Sequence, residues 1–478
     1  MTNKLIDEIR NNLDNGNVTS EMLFDEATSK AKKYQDEYNS FVTIMDKKEE
    51  IEGNSILRGI PYALKDNIST KGILTTASSN ILKDYIPLYD ATVYKKLKES
   101  GAVLMGKTVL DELAMGGTGT TGHTGIVRNP WNKDRMIGGS SAGSAAAVAL
   151  GVVPFAIGSD TGDSIRKPAA YGGVVGYKPT YGRISRYGLF AFASSLDHLG
   201  VFARSVKDVS YVMDVIKGHD SKDMTSLPDE DICYVDSLDN DIKGKKLFYI
   251  KEALGIVSDN EELEKIKDNF KDVLDKCKNL GFEVEEVSFG RELLEAIYPV
   301  YNVISCAEAT SNNSNLTGIP FGSRVEAGNV YDIMVKTRTE GFSELIKRRF
   351  VIGSYVLQKE NQEKLFLNAS RVRRLIVDRM NELFKKYDGL IMPTSGDIAP
   401  LFDKASDKLS DEYLILGNHL VIGNFGGFPS ISIPSGFVNN MPVSVNITGR
   451  AREDYLVLNM ANKIEEVLGC KGMVAKDE

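Results

Sequence analysis

The sequence predicts an α/β fold, and two observations carry the prediction. From about residue 58 short apolar runs alternate with amphipathic, helix-like stretches, the pattern of helices layered on a central sheet. Of 478 residues, 42% are hydrophobic and 26% charged, an ordinary globular balance that excludes fibrous and disordered classes.

Taken in order, LIDEIRNNL (5–13) and SEMLFDEATSKAKKY (20–34) carry apolar residues at helical spacing, with Thr19 or Ser20 placed to cap the second, so residues 1–57 read as a helical lead-in. DATVYKKLKESG (90–101) is the next helix, AVLMGKT (102–108) a strand, and VLDELAM (109–115) a further helix-like run. VVPFAIG (152–158) is apolar throughout and reads as a buried strand. Later come the strand KKLFYI (245–250), the amphipathic helix 260–281 and the strand FEVEEVSF (282–289). GLIMPT (389–394), SISIPSGF (430–437) and PVSVNITG (442–449) are strands, and a helix over 454–468 follows. No fixed-period repeat, low-complexity tract or long linker interrupts this, so 58–478 reads as a single domain.

With 58 basic and 66 acidic residues the net charge is −8, which disfavours extensive contact with phosphate backbones or anionic membranes. The basic runs 347–349 and 371–374 lie in helical patterns and read as solvated faces. Cys233, Cys277, Cys306 and Cys470 form no close pair, so neither a disulfide framework nor a zinc site is expected, and a reducing cytoplasm fits. The polar N-terminal stretch lacks the apolar core of a secretion signal. The longest apolar run, 145–158, is broken by Gly and Pro and is shorter than the ~18 residues of a membrane helix.

GAVLMGKT (101–108) matches the phosphate-loop pattern, but its context does not. A helix precedes Gly101 and AVLM reads as the strand itself, so its amides are committed to the sheet ladder and cannot cradle phosphate. Only His123, His198, His219 and His419 could serve a Ser-His-Asp triad, and each reads better as a packing or surface residue. Three other stretches carry chemistry. In GSDTGDSIRKP (158–168), Ser164 follows a buried strand within a turn whose residues either form an ordinary bend or leave amides free around a nucleophile. GGSSAGSAAAVALG (138–151) is a Gly-Ser loop leading into a buried Ala-rich helix, where Ser140 or Ser141 could simply cap. In PYALKDNIST (61–70), Lys65 lies in an uncharged run, and a desolvated lysine can act as a neutral base.

Together these stretches resemble the amidase signature family, whose pattern is an early lysine, a GGSSGGS-like loop and a GxDxGGSIRxPA segment. Lys65, Ser140 and Ser164 fall in that order, 75 and 24 positions apart, as that pattern requires. The resemblance spans nearly the whole chain and implies a large mixed central β-sheet covered by helices on both faces. It also implies that Ser164 attacks an amide, that Ser140, after a cis peptide bond, relays the proton to neutral Lys65, and that the N–H groups of Thr161, Gly162 and Asp163 bind the oxyanion; no metal is implied.

Within the family, residues 181–200, 339–357 and 428–437 are most similar to the glutamine-hydrolysing components of tRNA-dependent amidotransferases. That similarity implies glutamine as substrate and no cofactor in this chain. The implied partners are a tRNA-binding kinase/transamidase component, which uses ATP and Mg to amidate Glu-tRNA(Gln) or Asp-tRNA(Asn), and a small third component, in a cytoplasmic heterotrimer that meets charged tRNA through the complex. Arg349 matches a position suited to clamp the substrate α-carboxylate, and His419 stands where the pattern carries an acid for the α-ammonium. Asp163 and Ala142 replace family glycines; the Asp163 carboxylate is expected to turn away or to pair with Arg166. A free-standing amidase for small amides is the alternative, and an idle assembly component a third reading.

Overall fold

The computed structural model describes residues 1–403, 410 and 412–475. Among them eleven strands form one mixed sheet: β1 (Phe41–Ile44), β2 (Pro61–Lys65), β3 (Val103–Thr108), β4 (Phe155–Asp160), β5 (Val175–Lys178), β6 (His198–Ala203), β7 (Lys246–Ile250), β8 (Glu283–Val287), β9 (Gly389–Pro393), β10 (Ser430–Val438) and β11 (Met441–Gly449). Their order is β1-β3-β2-β4-β6-β5-β10-β11-β9-β7-β8. The expected strands of the second half are all present, and the last helix runs Asp454–Leu468.

Both faces of the sheet are covered, and the strands show it residue by residue. Phe155 and Ile157 of β4, with Tyr62 and Leu64 of β2, pack into one apolar cluster. The alternate residues Ala156 and Ala63 pack into another, as the two-residue period of a strand demands. β2 is parallel to both β3 and β4. The β2-to-β3 crossover carries the helix Thr92–Glu99, whose Val93, Tyr94 and Leu97 join the first cluster. The β3-to-β4 crossover carries Ala142–Ala149, packed on the opposite face. The chain therefore leaves β2 in one direction and returns past it, making a switch point at the carboxyl end of β2, where ligand crevices form in such sheets.

Two expectations change. The lead-in is helical over Ile6–Asp14 and Ser20–Tyr38, with Thr19 Oγ1 accepting from the Met22 N–H at 3.2 Å. Asn39 then turns left-handed, at φ 50°, and Phe41–Ile44 adds an edge strand antiparallel to β3. The boundary expected at 57/58 thus lies between two strands of one sheet. VLDELAM is no helix beyond the short turn Glu112–Ala114, in which Leu113 is left-handed. Its polar side chains have other tasks: Glu112 accepts from Ser79 Oγ at 2.6 Å and Asp111 gathers the amides of a neighbouring loop. The phosphate-loop lookalike is β3, as its context predicted; Lys107 is buried, donating to the Ile68 carbonyl and Thr75 Oγ1.

The basic runs lie on the helices Glu344–Leu357 and Asn368–Phe384. Arg371 and Arg374 pair with Glu363 and Asp378, whereas Arg373 turns inward to the carbonyls of Ser195 and Phe425. The four cysteines are free. Among the described residues no helix is long and apolar enough to cross a membrane.

Candidate active site

Lys65 ends β2, and its side chain is wholly buried (0% exposed). Its Nζ lies 2.8 Å from Ser140 Oγ, 2.8 Å from Ser141 Oγ, 2.9 Å from Ser159 Oγ and 3.2 Å from the Ser159 carbonyl. All four partners are uncharged. Burial pulls the lysine down to about 7, against the opposing pull of Asp111, Asp160 and Asp197.

The serine loop meets Lys65 from the far side of the switch point. The Gly139–Ser140 peptide is cis, as the resemblance implied. Ser141 occupies the N-cap position of the helix Ala142–Ala149 but makes no side-chain cap. Its hydroxyl donates instead to the Ser159 carbonyl at 3.0 Å, leaving its oxygen to accept from Lys65. The capping explanation for these serines therefore does not hold. Asp111 fixes the loop from below: its N–H donates to the Ser140 carbonyl at 3.1 Å, and its carboxylate accepts from the amides of Thr118, Gly119, Thr120 and Thr121. A Cβ at residue 139 would lie 2.0 Å from Asp111 Oδ2, so only glycine fits there.

Ser164 is brought to the same place by its backbone, its carbonyl accepting from the Ser141 N–H at 3.2 Å. The turn around it is built on Asp160 and Arg166, a fully buried pair joined by two hydrogen bonds, 3.1 Å from Nε to Oδ2 and 3.0 Å from Nη2 to Oδ1. Arg166 holds the Asp160 carboxyl well below its usual range, despite burial. Arg166 Nη2 also takes the Gly162 carbonyl at 2.7 Å, and Asn424 Nδ2 takes the Asp160 carbonyl at 3.2 Å. In a trans peptide the N–H points opposite to the carbonyl, so the amides of Thr161 and Asp163 face away from these partners. Among the described residues no protein acceptor meets the N–H groups of Thr161, Gly162 or Asp163. Gly162 packs under the Tyr301 ring so closely that a Cβ would lie 3.1 Å from it.

Asp163 does not pair with Arg166, whose donors are committed to Asp160 and its neighbours. It pairs with Lys167, four residues on and one helical turn away, at 2.9 Å. Lys167 Nζ also donates to the Gly417 carbonyl at 2.8 Å. Beside this pair and the serine loop a cavity of about 520 Å³ opens, walled in part by Gly138, Lys167, Tyr171, Asp397, Tyr413 and Gly417. Lys65, Ser140 and Ser164 are not among the residues that line it.

Arg349 stacks on Phe192, its guanidinium 5.5 Å from the ring centroid. Its Nε and Nη1 are buried and meet no hydrogen-bond acceptor among the described residues, a cation with unspent donors. Only 2% exposed, His419 directs Nδ1 at the Leu416 carbonyl at 3.0 Å, its Nε2 is buried without a hydrogen-bond partner among the described residues, and burial lowers the ring to about 4. His198 is likewise buried in β6, its Nδ1 2.6 Å from the Leu196 carbonyl. Its neighbour Asp197 accepts from Thr161 Oγ1 at 2.7 Å. Asp111, Asp197 and Tyr301 are the site residues sequence reading missed. Asp197 left no signal in the sequence, since its tie is to the hydroxyl of Thr161, 36 positions away.

Fold and site together define an amide-hydrolysing class: a model of the Amidase family matches residues 1–458, and the chain belongs to that family. The chain is 44% identical over 415 residues, 87% of this chain and 84% of the relative, to the glutamyl-tRNA(Gln) amidotransferase "A" subunit of Heliobacterium modesticaldum. It is 39% identical to the protein of that name from Sulfolobus acidocaldarius, covering 97% of this chain and 98% of the relative. The crystal structure of the counterpart from Thermotoga maritima, which bears the same name, superposes with a TM-score of 0.83 at 35% identity, covering 99% of this chain and 97% of that one.

Proposed function

We propose that this chain is the glutamine-hydrolysing component of a cytoplasmic tRNA-dependent amidotransferase, supplying ammonia to convert Glu-tRNA(Gln), or Asp-tRNA(Asn), to its amidated form. The observation that carries the reading is the buried Lys65 amine in contact with Ser140, on the loop hydrogen-bonded to Ser164. An ordinary lysine at neutral pH is unprotonated in only about one molecule in 10³; burial, which lowers Lys65 to about 7, makes the free lone pair far more common.

Ser164 Oγ attacks the side-chain amide carbon of glutamine. Its proton passes to Ser140 Oγ as the Ser140 proton passes to Lys65 Nζ. The amides of Thr161, Gly162 and Asp163 stabilise the tetrahedral oxyanion. Lys65 returns the proton through Ser140 to the departing nitrogen, which leaves as ammonia, and water releases glutamate from the acyl-enzyme by the same relay. Arg349, with its unspent donors, binds the α-carboxylate.

Amidation of the charged tRNA, with ATP and Mg, belongs to a tRNA-binding kinase/transamidase partner, and a small third polypeptide completes the assembly. The net charge of −8 supports leaving the nucleic acid to the partner. In the assembled complex, Ser164→Ala should abolish glutamine-dependent tRNA amidation and leave amidation with added ammonium intact. Loss of both activities, or of neither, refutes the assignment. Rapid turnover of simple amides by the chain alone would favour a free-standing amidase.

A further inference from the structure

Asp197 is 2% exposed, and among the described residues its carboxylate accepts three hydrogen bonds. Thr161 Oγ1 donates to Oδ1 at 2.7 Å, the Ala193 N–H to Oδ1 at 3.1 Å and the Phe192 N–H to Oδ2 at 2.9 Å. Phe192 is the ring beneath Arg349. Thr161 opens the nucleophile turn, and the carbonyl of the peptide that carries its N–H is held from the other side by Asn424. One amide is thus gripped at both ends, at its carbonyl and through the adjacent side chain.

We infer that Asp197 is a positioning residue for amide hydrolysis: through Thr161 Oγ1 it holds the Thr161 N–H on the developing oxyanion. The inference rests on the reading of Thr161 as an oxyanion donor. A donor aimed before the reaction stabilises charge without reorganising, so loosening it costs rate and leaves binding nearly unchanged.

Charge adds an independent signature. The carboxylates facing Lys65 are Asp111, Asp160 and Asp197, each favouring its protonated form. Asp160 is matched by Arg166 and Asp111 by a ring of amides, while Asp197 faces Arg186 and is pushed up to about 6 by burial. Removing its charge lets Lys65 lose its proton at lower pH.

The test uses the intact chain in its complex, with glutamine and a simple amide, and Thr161→Val, Thr161→Ser and Asp197→Asn. Expected are kcat losses of roughly 10–100-fold for Thr161→Val and Asp197→Asn with KM changed less than about threefold, recovery in Thr161→Ser, and an acid limb of the kcat/KM profile moved to lower pH in Asp197→Asn. Folded Thr161→Val and Asp197→Asn proteins with wild-type kcat and an unmoved limb overturn the inference, as does a Thr161→Ser protein no better than Thr161→Val. A wild type that cleaves the simple amide but not glutamine refutes the proposed substrate, while the same variant ratios still decide the role of Asp197.

Discussion

Lys65 and Lys107 lie on adjacent parallel strands, each wholly buried, and they differ in what surrounds the amine. Lys107 has a carboxylate, Asp66, at 3.5 Å, together with the Ile68 carbonyl and Thr75 Oγ1. Asp66 in turn accepts from the amide and hydroxyl of Thr76. Lys65 has serine oxygens and one carbonyl at similar distances, and its three carboxylates act from farther off. Burial lowers both, Lys107 to about 8 and Lys65 to about 7. The two amines thus differ less in how far burial lowers them than in what they touch. A buried lysine with an adjacent anion is a structural cation, and one surrounded by hydroxyls is poised to take a proton.

The comparison breaks if the two lysines fail to separate on substitution. Lys65→Met should lower kcat by about 10²–10⁴ while destabilising the fold by only about 1–3 kcal/mol, the cost of hydroxyls left unpaired. Lys107→Met should do the reverse, costing about 3–5 kcal/mol by stranding Asp66 and lowering activity only with the folded fraction. Amide hydrolysis and urea unfolding of both variants measure this.

The pH profile sharpens it. Protonated Lys65 cannot accept a proton, so kcat/KM should climb as pH rises through about 7 and fall away below. Lys65→Arg, always charged, should be inactive across the whole range.

Two buried carboxylates extend the contrast to acids with little cationic support. Asp208, raised to about 7, receives the Ile6 N–H, and Glu465, raised to about 8, receives the Val206 N–H. Arg204 and Lys471 only partly oppose the burial. A folded-state value above the unfolded one gives stability that is complete below about pH 4 and lost as pH rises through 7 to 8. Glu465→Gln should therefore be more stable than wild type above pH 8, and the difference should vanish near pH 4, as thermal melts at the two pH values would show.

The smallest effect belongs to Asp163→Gly. Because the Asp163 carboxylate is held by Lys167, removing it should change kcat by less than about threefold; a gain of about tenfold would show that its charge opposes the oxyanion.

What the sequence disclosed follows from where each residue finds its partners. Lys65, Ser140 and Ser164 were legible because their motifs are local and unusual, and the later strands because their apolar runs are bounded by turns. Asp111 and Asp197 were not, since their partners are backbone amides and a threonine hydroxyl, groups that leave no compositional mark. β1 was hidden behind the helical period of the preceding stretch, and four residues are too few to display a period of their own. The burial of His419 was not legible either, because a ring nitrogen bonded three residues back along its own chain leaves no mark in the sequence.

Arg166 binds the Leu420 carbonyl at 2.7 Å and Asn424 Oδ1 at 2.7 Å, partners 254 and 258 positions downstream. During synthesis, the segment bearing the nucleophile emerges long before these acceptors do. A nascent chain that has not yet made residues 416–430 lacks both of these acceptors for the Arg166 guanidinium. The turn that carries Ser164 is in this way completed only by residues made more than 250 positions later.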